Sequence, residues 1–378
     1  MAPCNSYSSG SWSSLPNELL ISVTKVLPNA EDFVRFGAVC RSWHSAVTKN
    51  NYCKTRHMPW LMMAETSPKS KFRRFYSHSE DKIYRFMMPE ARERLCFGCP
   101  GGWVATVGKD SEVHLVNPFI KATIALPSIG TFISPMGNFS PEFKRISVIR
   151  KICVSISSKS PLNLKNPNFF AVALYDMGWR LAFTSPRTRG WTKILCNWWP
   201  YFDATFYKGQ FYLVNHYGAV VALDFRRQLV KKIASSPDHY HFDKRYLVES
   251  SGELLQVIRT LESSLEKAAP ERYRTVRFCV YRLDMSTRKW ERMENLGDDS
   301  LFLGLNTSIS VVASELIGCR PNCIYFADDI CHEYSDEIVG RGHDMGVYSL
   351  ADNSIEKHYT GVSQSTYSPP MWVPPFLW

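Results

Sequence analysis

The sequence predicts a mainly β chain that carries a small helical module at its N-terminus. In residues 14–47, apolar side chains recur at helical spacing. From about residue 59, short runs rich in Val, Ile, Phe, Tyr and Trp alternate with turn residues, as strands do. The 378 residues, 45% of them hydrophobic, suffice for one small module and one large domain. We expect a disordered Ser-rich tail, the helical module, a linker and a β domain at 1–11, 12–52, 53–58 and 59–378, respectively.

The helical module leaves apolar surface uncovered. Leu15, Leu19 and Val23 share one helical stripe, and Val39 and Trp43 share another. Three short helices in about 35 residues are too few to bury a core of their own. Further apolar side chains lie off both stripes. The module therefore either docks as a cap on the rest of the chain or binds a partner protein.

A degenerate repeat runs through the β-rich region. Each unit is a strand, a polar turn and a second strand, often with an aromatic residue after the turn. The units lie at residues 116–127, 184–194, 223–233, 281–293 and 347–358. This recurrence resembles the outer hairpin of a blade in kelch-type repeats and predicts a β-propeller. About 320 residues at roughly 45 per blade give about seven blades, with six as the alternative.

Two further features complete the prediction for the β domain. Residues 260–269 have a composition typical of a helix, which we place in a loop insertion. The β-rich segments 60–62 and 371–373 bracket the domain. We expect both ends to take part in closing the ring, because closure removes exposed strand edges.

The N-terminal segment resembles an F-box, the helical module that docks on the Skp adaptor of a cullin-RING ubiquitin ligase. The matching residues are Leu15-Pro16, Glu18-Leu19-Leu20, Leu27-Pro28, Asp32, Arg35, Val39-Cys40 and Ser42-Trp43. Gly37 and His44 depart from the usual pattern, and Gly37 costs about 1 kcal/mol of helix stability. The resemblance implies that the adaptor-binding residues, at or beneath the interface, are Leu15, Pro16, Leu19, Leu20, Leu27, Pro28, Val39, Cys40 and Trp43.

The likeness extends to the β domain. Segments 59–62, 322–329, 344–350 and 369–374 resemble plant F-box proteins whose C-terminal domain was first catalogued as a domain of unknown function and is described as a β-propeller. Some relatives restrain brassinosteroid-pathway kinases. The resemblance implies a substrate receptor of an SCF (Skp–cullin–F-box) ubiquitin ligase. Its partners would be the Skp adaptor, through it the cullin and RING subunits, and an unidentified target protein on the propeller.

Two other classes of function are weighed against a receptor. A regulator that blocks its bound partner without ubiquitylating it fits the same modules. A propeller enzyme, such as a glycosidase or sugar oxidase, needs converging acids or a metal. The sequence has no Gly-x-Ser-x-Gly, no phosphate-binding Gly-Lys-Ser/Thr loop and no dinucleotide fingerprint. We therefore predict no enzymatic activity and no cofactor.

Cysteines supply most of the candidate zinc ligands. They are Cys96, Cys99, Cys319, Cys323, Cys331 and, with them, His332. Cys323 lies inside an apolar strand and the first pair precedes a turn, so we expect buried thiols and no metal. Eleven cysteines without regular spacing, and no signal peptide, predict reduced thiols in an intracellular protein of the nucleus or cytoplasm.

Paired carboxylates and histidines are the remaining polar candidates. Asp298-Asp299 and Asp328-Asp329 are adjacent pairs, and adjacent strand residues point to opposite faces. We therefore expect turn and blade-edge hydrogen bonds there and not a catalytic dyad. His239 and His241 share a strand face, but without a third ligand they indicate a surface loop. The aromatic run 198–201 either anchors a bound protein or packs between blades, and packing is favoured.

The net charge of +10 suits nucleic acid or another acidic partner. The densest basic run is Lys69-Ser-Lys71-Phe-Arg73-Arg74, which we interpret as a solvated linker, with a nuclear-import signal as the alternative. No run of about 18 apolar residues is present. We expect neither nucleic acid nor a membrane among the partners.

Overall fold

The computed structural model describes most of the chain. The described residues are 12–24, 27, 32, 36–37, 39–49, 57–65, 67, 69–131, 149–156, 169–176, 178–188, 190–196, 199–238, 244–263, 273–330, 342–359, 363, 365 and 368–375. Several predictions fall outside them: the tail 1–11, Pro28, Arg35, Trp198, His239, His241, Cys331 and His332.

Two α-helices of the N-terminal module are described with their bounds, and Asp32, Phe36 and Gly37 between them are helical as well, in line with the three helices predicted. A 3₁₀ turn at Trp12–Ser14 precedes α1 (Asn17–Thr24) and α2 (Arg41–Lys49). The two helices contact each other. The rings of Phe36 and Trp43 lie 4.3 Å apart. The Trp43 indole Nε1 donates a hydrogen bond to the Trp12 carbonyl at 3.0 Å, which ties the 3₁₀ turn to α2.

The rest of the described chain forms six β-sheets. The strands are β1 (Trp60–Met62), β2 (Phe72–Ser77), β3 (Lys82–Met87), β4 (Leu95–Gly98), β5 (Val104–Val107), β6 (Val113–Asn117), β7 (Ala122–Leu126), β8 (Ile149–Ile156), β9 (Phe169–Tyr175), β10 (Arg180–Thr184), β11 (Thr192–Ile194), β12 (Tyr201–Tyr207), β13 (Gln210–Asn215), β14 (Val220–Asp224), β15 (Leu229–Ala234), β16 (Lys244–Ser250), β17 (Glu253–Ser263), β18 (Tyr273–Asp284), β19 (Lys289–Met293), β20 (Asp299–Leu303), β21 (Ile309–Val312), β22 (Cys323–Phe326), β23 (Gly346–Ser349), β24 (Ile355–Glu356) and β25 (Met371–Val373). From its innermost strand outwards, blade one is β25-β1-β2-β3 and blade six is β21-β20-β22-β23-β24. Blades two, three, four and five are β4 to β7, β8 to β11, β12 to β15 and β16 to β19, respectively.

The sheets are the blades of a six-bladed propeller. The innermost strand of each sheet contacts the innermost strand of the next: β25 with β4, β4 with β8, β8 with β12, β12 with β16, and β16 with β21. Inner strands are apolar and buried, as in Val104–Val107, whereas outer strands such as Lys289–Met293 are largely exposed. Blade six departs from the antiparallel pattern, because β20 and β22 run parallel.

The outer hairpins confirm the predicted repeat. All five predicted units span the turn between the last two strands of a blade. In four of them a carboxylate or amide oxygen accepts backbone N–H groups of the turn, which explains the polar residue there. The acceptors are Asn117, Asp224, Asp284 and Asp352.

The count of six corrects the estimate of seven blades. The division assumed a uniform blade, but the connections between strands are unequal: β7 and β8 are separated by residues 127–148. The predicted helix at 260–269 is also wrong in its first part, since β17 continues to Ser263 and pairs with β18. Long cross-strand pairing overrode the local helical preference there.

The ends of two segments interpreted as linker, 53–58 and the basic run 69–74, belong to the propeller. His57 and Met58 are buried, and His57 forms a parallel bridge with Ile317. The basic run continues into β2, where the Arg73 side chain is buried and donates a hydrogen bond to Ser368 Oγ. Only the first part of that run is therefore a solvated connection.

The buried side chains of the helical module are continuous with the propeller core. Leu20, Phe36 and Ala46 belong to the same apolar cluster as Trp60 and Trp103. A module too small to bury a core of its own thus shares that of blades one and two. This fits the docked-cap alternative for its inner side and leaves its outer side to be described.

Candidate functional site

The outer side of the helical module presents apolar side chains to solvent. Leu19 is 53% exposed and Val39 is 58% exposed, whereas Leu20, the neighbour of Leu19, is 1% exposed. Pro16 is also exposed, and α1 begins there because the amides of Leu19 and Leu20 both donate to its carbonyl. Helix α1 therefore buries Leu20 in the core that it shares with the propeller and leaves Leu19 on an uncovered surface.

The other predicted adaptor-binding residues are partly buried. Leu15, Leu27, Cys40 and Trp43 are of intermediate exposure. The Cys40 thiol lies 3.1 Å from Ser42 Oγ, and this hydrogen bond lowers the pKa of the thiol. The structure thus places most of the predicted set in one module, and their contact with an adaptor remains a prediction.

The centre of the propeller holds a network of buried charges. Lys151 on β8 pairs with Asp203 on β12. Asp203 also accepts the Leu247 amide at 3.0 Å and Ser308 Oγ at 3.2 Å. Burial alone would lower the pKa of Lys151, but the Asp203 carboxylate raises it above the ordinary value. Lys151 therefore keeps its charge, and the contacts of Asp203 join blades three, four and five.

A second part of the network surrounds Arg259 on β17. Its guanidinium lies 3.2 Å from Asp329 and 2.9 Å from Asp344. Asp329 also pairs with Lys244 at 3.4 Å and accepts the Tyr246 hydroxyl at 2.8 Å. Burial would raise the pKa of Asp329, but Lys244 and Arg259 hold it below its usual range.

Asp328 forms the third part. It accepts the Tyr273 hydroxyl at 2.8 Å and the Gly342 amide at 2.7 Å, and it pairs with His343 at 3.2 Å. Despite burial, the hydrogen bond from His343 lowers the pKa of Asp328. The same contact raises the pKa of His343, against its own burial.

The two acidic pairs have different outcomes. Asp298 and Asp299 accept hydrogen bonds from Ser314 and from Ser250 at turns and blade edges, as predicted. Asp328 and Asp329 do not lie at such positions, because both are buried beside basic side chains at the centre of the propeller. Sequence adjacency gave no sign of this, since Lys244 and Arg259 come from blade five and only the fold brings His343 to Asp328. Each of these buried carboxylates has a basic partner, so the arrangement holds blades together.

Residues 304–308 occupy the middle of the ring. The Thr307 amide donates to the Gly98 carbonyl at 2.7 Å, and Ser308 reaches Asp203 in blade four. A Cβ at position 98 would lie 2.8 Å from Asn306 Cβ, so the close approach requires glycine. This segment from blade six therefore fills the space that the inner strands surround.

An aromatic pocket opens between blades three and four. It has a volume of about 290 Å³ and is lined by Arg150, Trp179, Trp199, Pro200, Phe202, His216 and Tyr217. Packing between blades was the favoured prediction for the run 198–201. It is correct for Tyr201, which is 1% exposed, but wrong for Trp199, which is 46% exposed. Trp179 and Tyr217 were not predicted, because only the fold brings them to Trp199.

Backbone contacts fix the pocket walls. The turn between β9 and β10 carries Trp179, and the Tyr201 amide donates to the Gly178 carbonyl at 2.8 Å. Gly178 has a φ of +91°, and a side chain there would collide with the Tyr201 carbonyl. Glycine thus allows the turn of blade three to lie against the first strand of blade four.

The cysteines in the part of the chain that the structure describes are buried or half-buried thiols. Burial raises the pKa of Cys99, and it raises the pKa of Cys319 to about 11. Within the described ranges, no three His, Cys, Asp or Glu side chains are grouped so that they could hold a metal ion. Among the helices of the described part of the chain, none is long and apolar enough to cross a membrane.

Comparison with known proteins agrees with this architecture. The KIB1-4 β-propeller family profile matches residues 75–349, and an F-box-like profile matches residues 12–54. The F-box protein SKIP23 of Arabidopsis thaliana is 24% identical over 395 residues, covering 96% of this chain and 95% of that protein. The Arabidopsis F-box protein At2g26160 is 26% identical over 336 residues, covering 84% and 96%.

The helical module and the six blades thus define an F-box protein with a β-propeller, as the plant F-box resemblance implied. The chain belongs to the KIB1-4 β-propeller family.

Proposed function

We propose that this protein is a substrate-receptor subunit of an SCF-type ubiquitin ligase. The observation that carries the proposal is the exposure of Leu19 and Val39 on the segment that the F-box-like profile matches. Large apolar side chains left uncovered on a small module suit a protein partner. In this proposal the Skp adaptor covers them and brings the cullin and RING subunits, in the nucleus or cytoplasm.

The mechanism is proximity, and the chain itself performs no bond chemistry. The propeller holds a target protein while the adaptor links the module to a ubiquitin-loaded enzyme. Tethering converts an encounter between two free proteins into one within a complex, which raises the effective concentration of the target. The paired charges at the propeller centre suit a rigid scaffold for this task, because each buried carboxylate already has its partner.

The chain path separates the two ends of the propeller. Trp60, where β1 begins, lies opposite Val373, where the innermost strand β25 ends. The aromatic pocket lies instead where the innermost strands β8 and β12 begin. Because blades repeat around the ring, their innermost strands run in the same direction. The module therefore joins the propeller at the end opposite the pocket, which leaves the pocket end open to a target.

Adaptor binding by the intact chain tests the proposal. The purified chain should capture adaptor and cullin, and Leu15→Ala combined with Pro16→Ala should weaken capture by at least about 2 kcal/mol. Phe72→Ala, at an exposed position of blade one, is the control and should not affect capture. Unchanged capture by the double variant would remove the adaptor claim. A reconstituted ligase that binds its partner but never ubiquitylates it would favour the blocking regulator.

A further inference from the structure

The pocket between blades three and four has exposed aromatic walls. Trp179, Trp199 and Tyr217 are 43%, 46% and 36% exposed. The rings of Trp199 and Tyr217 meet edge to face at 4.5 Å, so they form a corner and not a flat surface. Aromatic side chains that frame a concave site and remain open to solvent are typical of the anchors of protein interfaces.

The size of the pocket limits what it can hold. About 290 Å³ is at the lower limit of the range of about 300–1,000 Å³ typical for small-molecule sites. One large side chain fits such a volume, as in the central pockets where a single residue of a partner is fully desolvated. An anchor residue of a protein suits it better than an extended ligand.

The charge at the floor selects between possible anchors. Four aromatic rings could cage a quaternary ammonium group. However, the Arg150 guanidinium lies 4.4 Å from the centre of the Phe202 ring, and Lys244 Nζ lies 5.6 Å from it. Lys244 is already paired with Asp329, so Arg150, which lines the pocket, is the cation that repels a positive ligand and attracts a carboxylate. The carboxylate of Asp176 on the rim is already paired with Arg180 at 3.0 Å.

We propose that this pocket binds an aromatic side chain flanked by acidic residues in an exposed segment of a partner protein. The aromatic ring fills the corner between Trp199 and Tyr217, and a neighbouring carboxylate faces Arg150. This deepens the proposed function, since it names the target feature that the receptor holds. An acidic partner segment would also complement the net charge of +10 of this chain.

Synthetic peptides and the full-length chain test the proposal without the adaptor. The first peptide is acetyl-Gly-Ser-Glu-Phe-Glu-Ser-Gly-amide. Three matched peptides replace its Phe by Ala, its Phe by trimethyl-lysine, or both Glu by Lys. Binding is followed by quenching of tryptophan fluorescence and by saturation-transfer NMR. We expect the first peptide to bind at least about tenfold more tightly than the other three.

Variants locate the site. Trp199→Ala should weaken binding of the first peptide at least about tenfold, because it removes an exposed wall. Arg150→Gln should reduce the preference for Glu over Lys flanks. Phe72→Ala, which removes an equally exposed ring from blade one, should bind as the parent does. Melting temperatures of all three variants establish that they are folded.

The outcomes separate the pocket from the receptor function. No binding at millimolar peptide, equal binding by Trp199→Ala, or tighter binding of the trimethyl-lysine peptide would each overturn the pocket proposal. If adaptor capture persists in those cases, the receptor function stands and the target binds elsewhere. If the peptide binds as expected but adaptor is never captured, the pocket stands and the receptor function fails.

Discussion

Trp60 lies directly opposite Val373 in the antiparallel pair of β1 and β25. The pairing joins the first and last described strands of the propeller in one blade, as the sequence predicted for segments 60–62 and 371–373. The inner edge of β1 is thereby covered. Trp372 beside it is 1% exposed, and its ring meets that of Phe302 of blade six at 5.1 Å. The C-terminal strand therefore connects blade one to its neighbour as well as completing it.

Removing the closing strand should destabilise the whole propeller. Deletion of residues 369–378 leaves the β1 edge unpaired and opens the cluster around Trp372. We expect a melting temperature lower by at least about 5 °C, the change that roughly 3–4 kcal/mol produces in a domain of this size. Deletion of 376–378 alone keeps β25 and is the matched control. Equal melting temperatures for the two truncations would show that closure contributes no stability.

The Arg259 network should contribute far more to stability than surface ion pairs. Arg259→Met leaves Asp329 and Asp344 without their shared guanidinium in a buried site. Breaking such a pair by removing one partner costs about 3–5 kcal/mol. The free energy of unfolding from urea titrations measures the loss.

Arg274→Met is the matched control for this variant. Arg274 pairs with Glu262 at 2.6 Å in the same blade, but both side chains are more than half exposed. Exposed pairs contribute about 0–1 kcal/mol. Similar losses for the two variants would contradict a structural role for the central network.

His358 should make the protein sensitive to mild acid. Burial lowers the pKa of its imidazole from 6.5 to about 4, and the ring lies 3.2 Å from the Phe326 carbonyl. Below pH 6.5 the unfolded state binds the proton more readily than the folded state. The stability due to the neutral ring is therefore lost between about pH 6.5 and about pH 4, by up to about 1.4 kcal/mol per pH unit. Urea titrations at several pH values should show a smaller loss in His358→Gln.

His343 supplies a comparison of opposite sign. Its contact with Asp328 raises its pKa in the folded state. Its contribution is present below the unfolded pKa of 6.5 and is lost as pH rises through the higher folded value. His343→Gln should therefore remove stability at pH 6 and change little at alkaline pH. If both variants lose stability in acid to the same extent as the parent chain, neither histidine determines the acid sensitivity.

The sequence predicted the fold better than the sites. Periodic apolar runs and the polar hairpin turns, such as that of Asp224, depend on neighbours in sequence and could be recognised. The central network could not, because Arg259 on β17 meets Asp344 only when the blades form a ring. Only part of the pocket could be predicted. Trp199 lies in an aromatic run of the sequence, whereas its partner Tyr217 comes from another turn that only the fold brings close.

The helical module allows binding and folding to be tested separately. Leu19 and Leu20 are adjacent and chemically identical, yet one is 53% exposed and the other 1% exposed. Leu19→Ala together with Val39→Ala should leave the melting temperature unchanged and weaken adaptor binding by at least about 2 kcal/mol, since only uncovered hot-spot contacts are lost. Leu20→Ala should cost about 2–5 kcal/mol of stability through the cavity it creates. Calorimetry of adaptor binding and thermal melts of the same samples measure both quantities. If Leu19→Ala with Val39→Ala binds adaptor as tightly as the parent chain, the exposed side of α1 is not the docking surface.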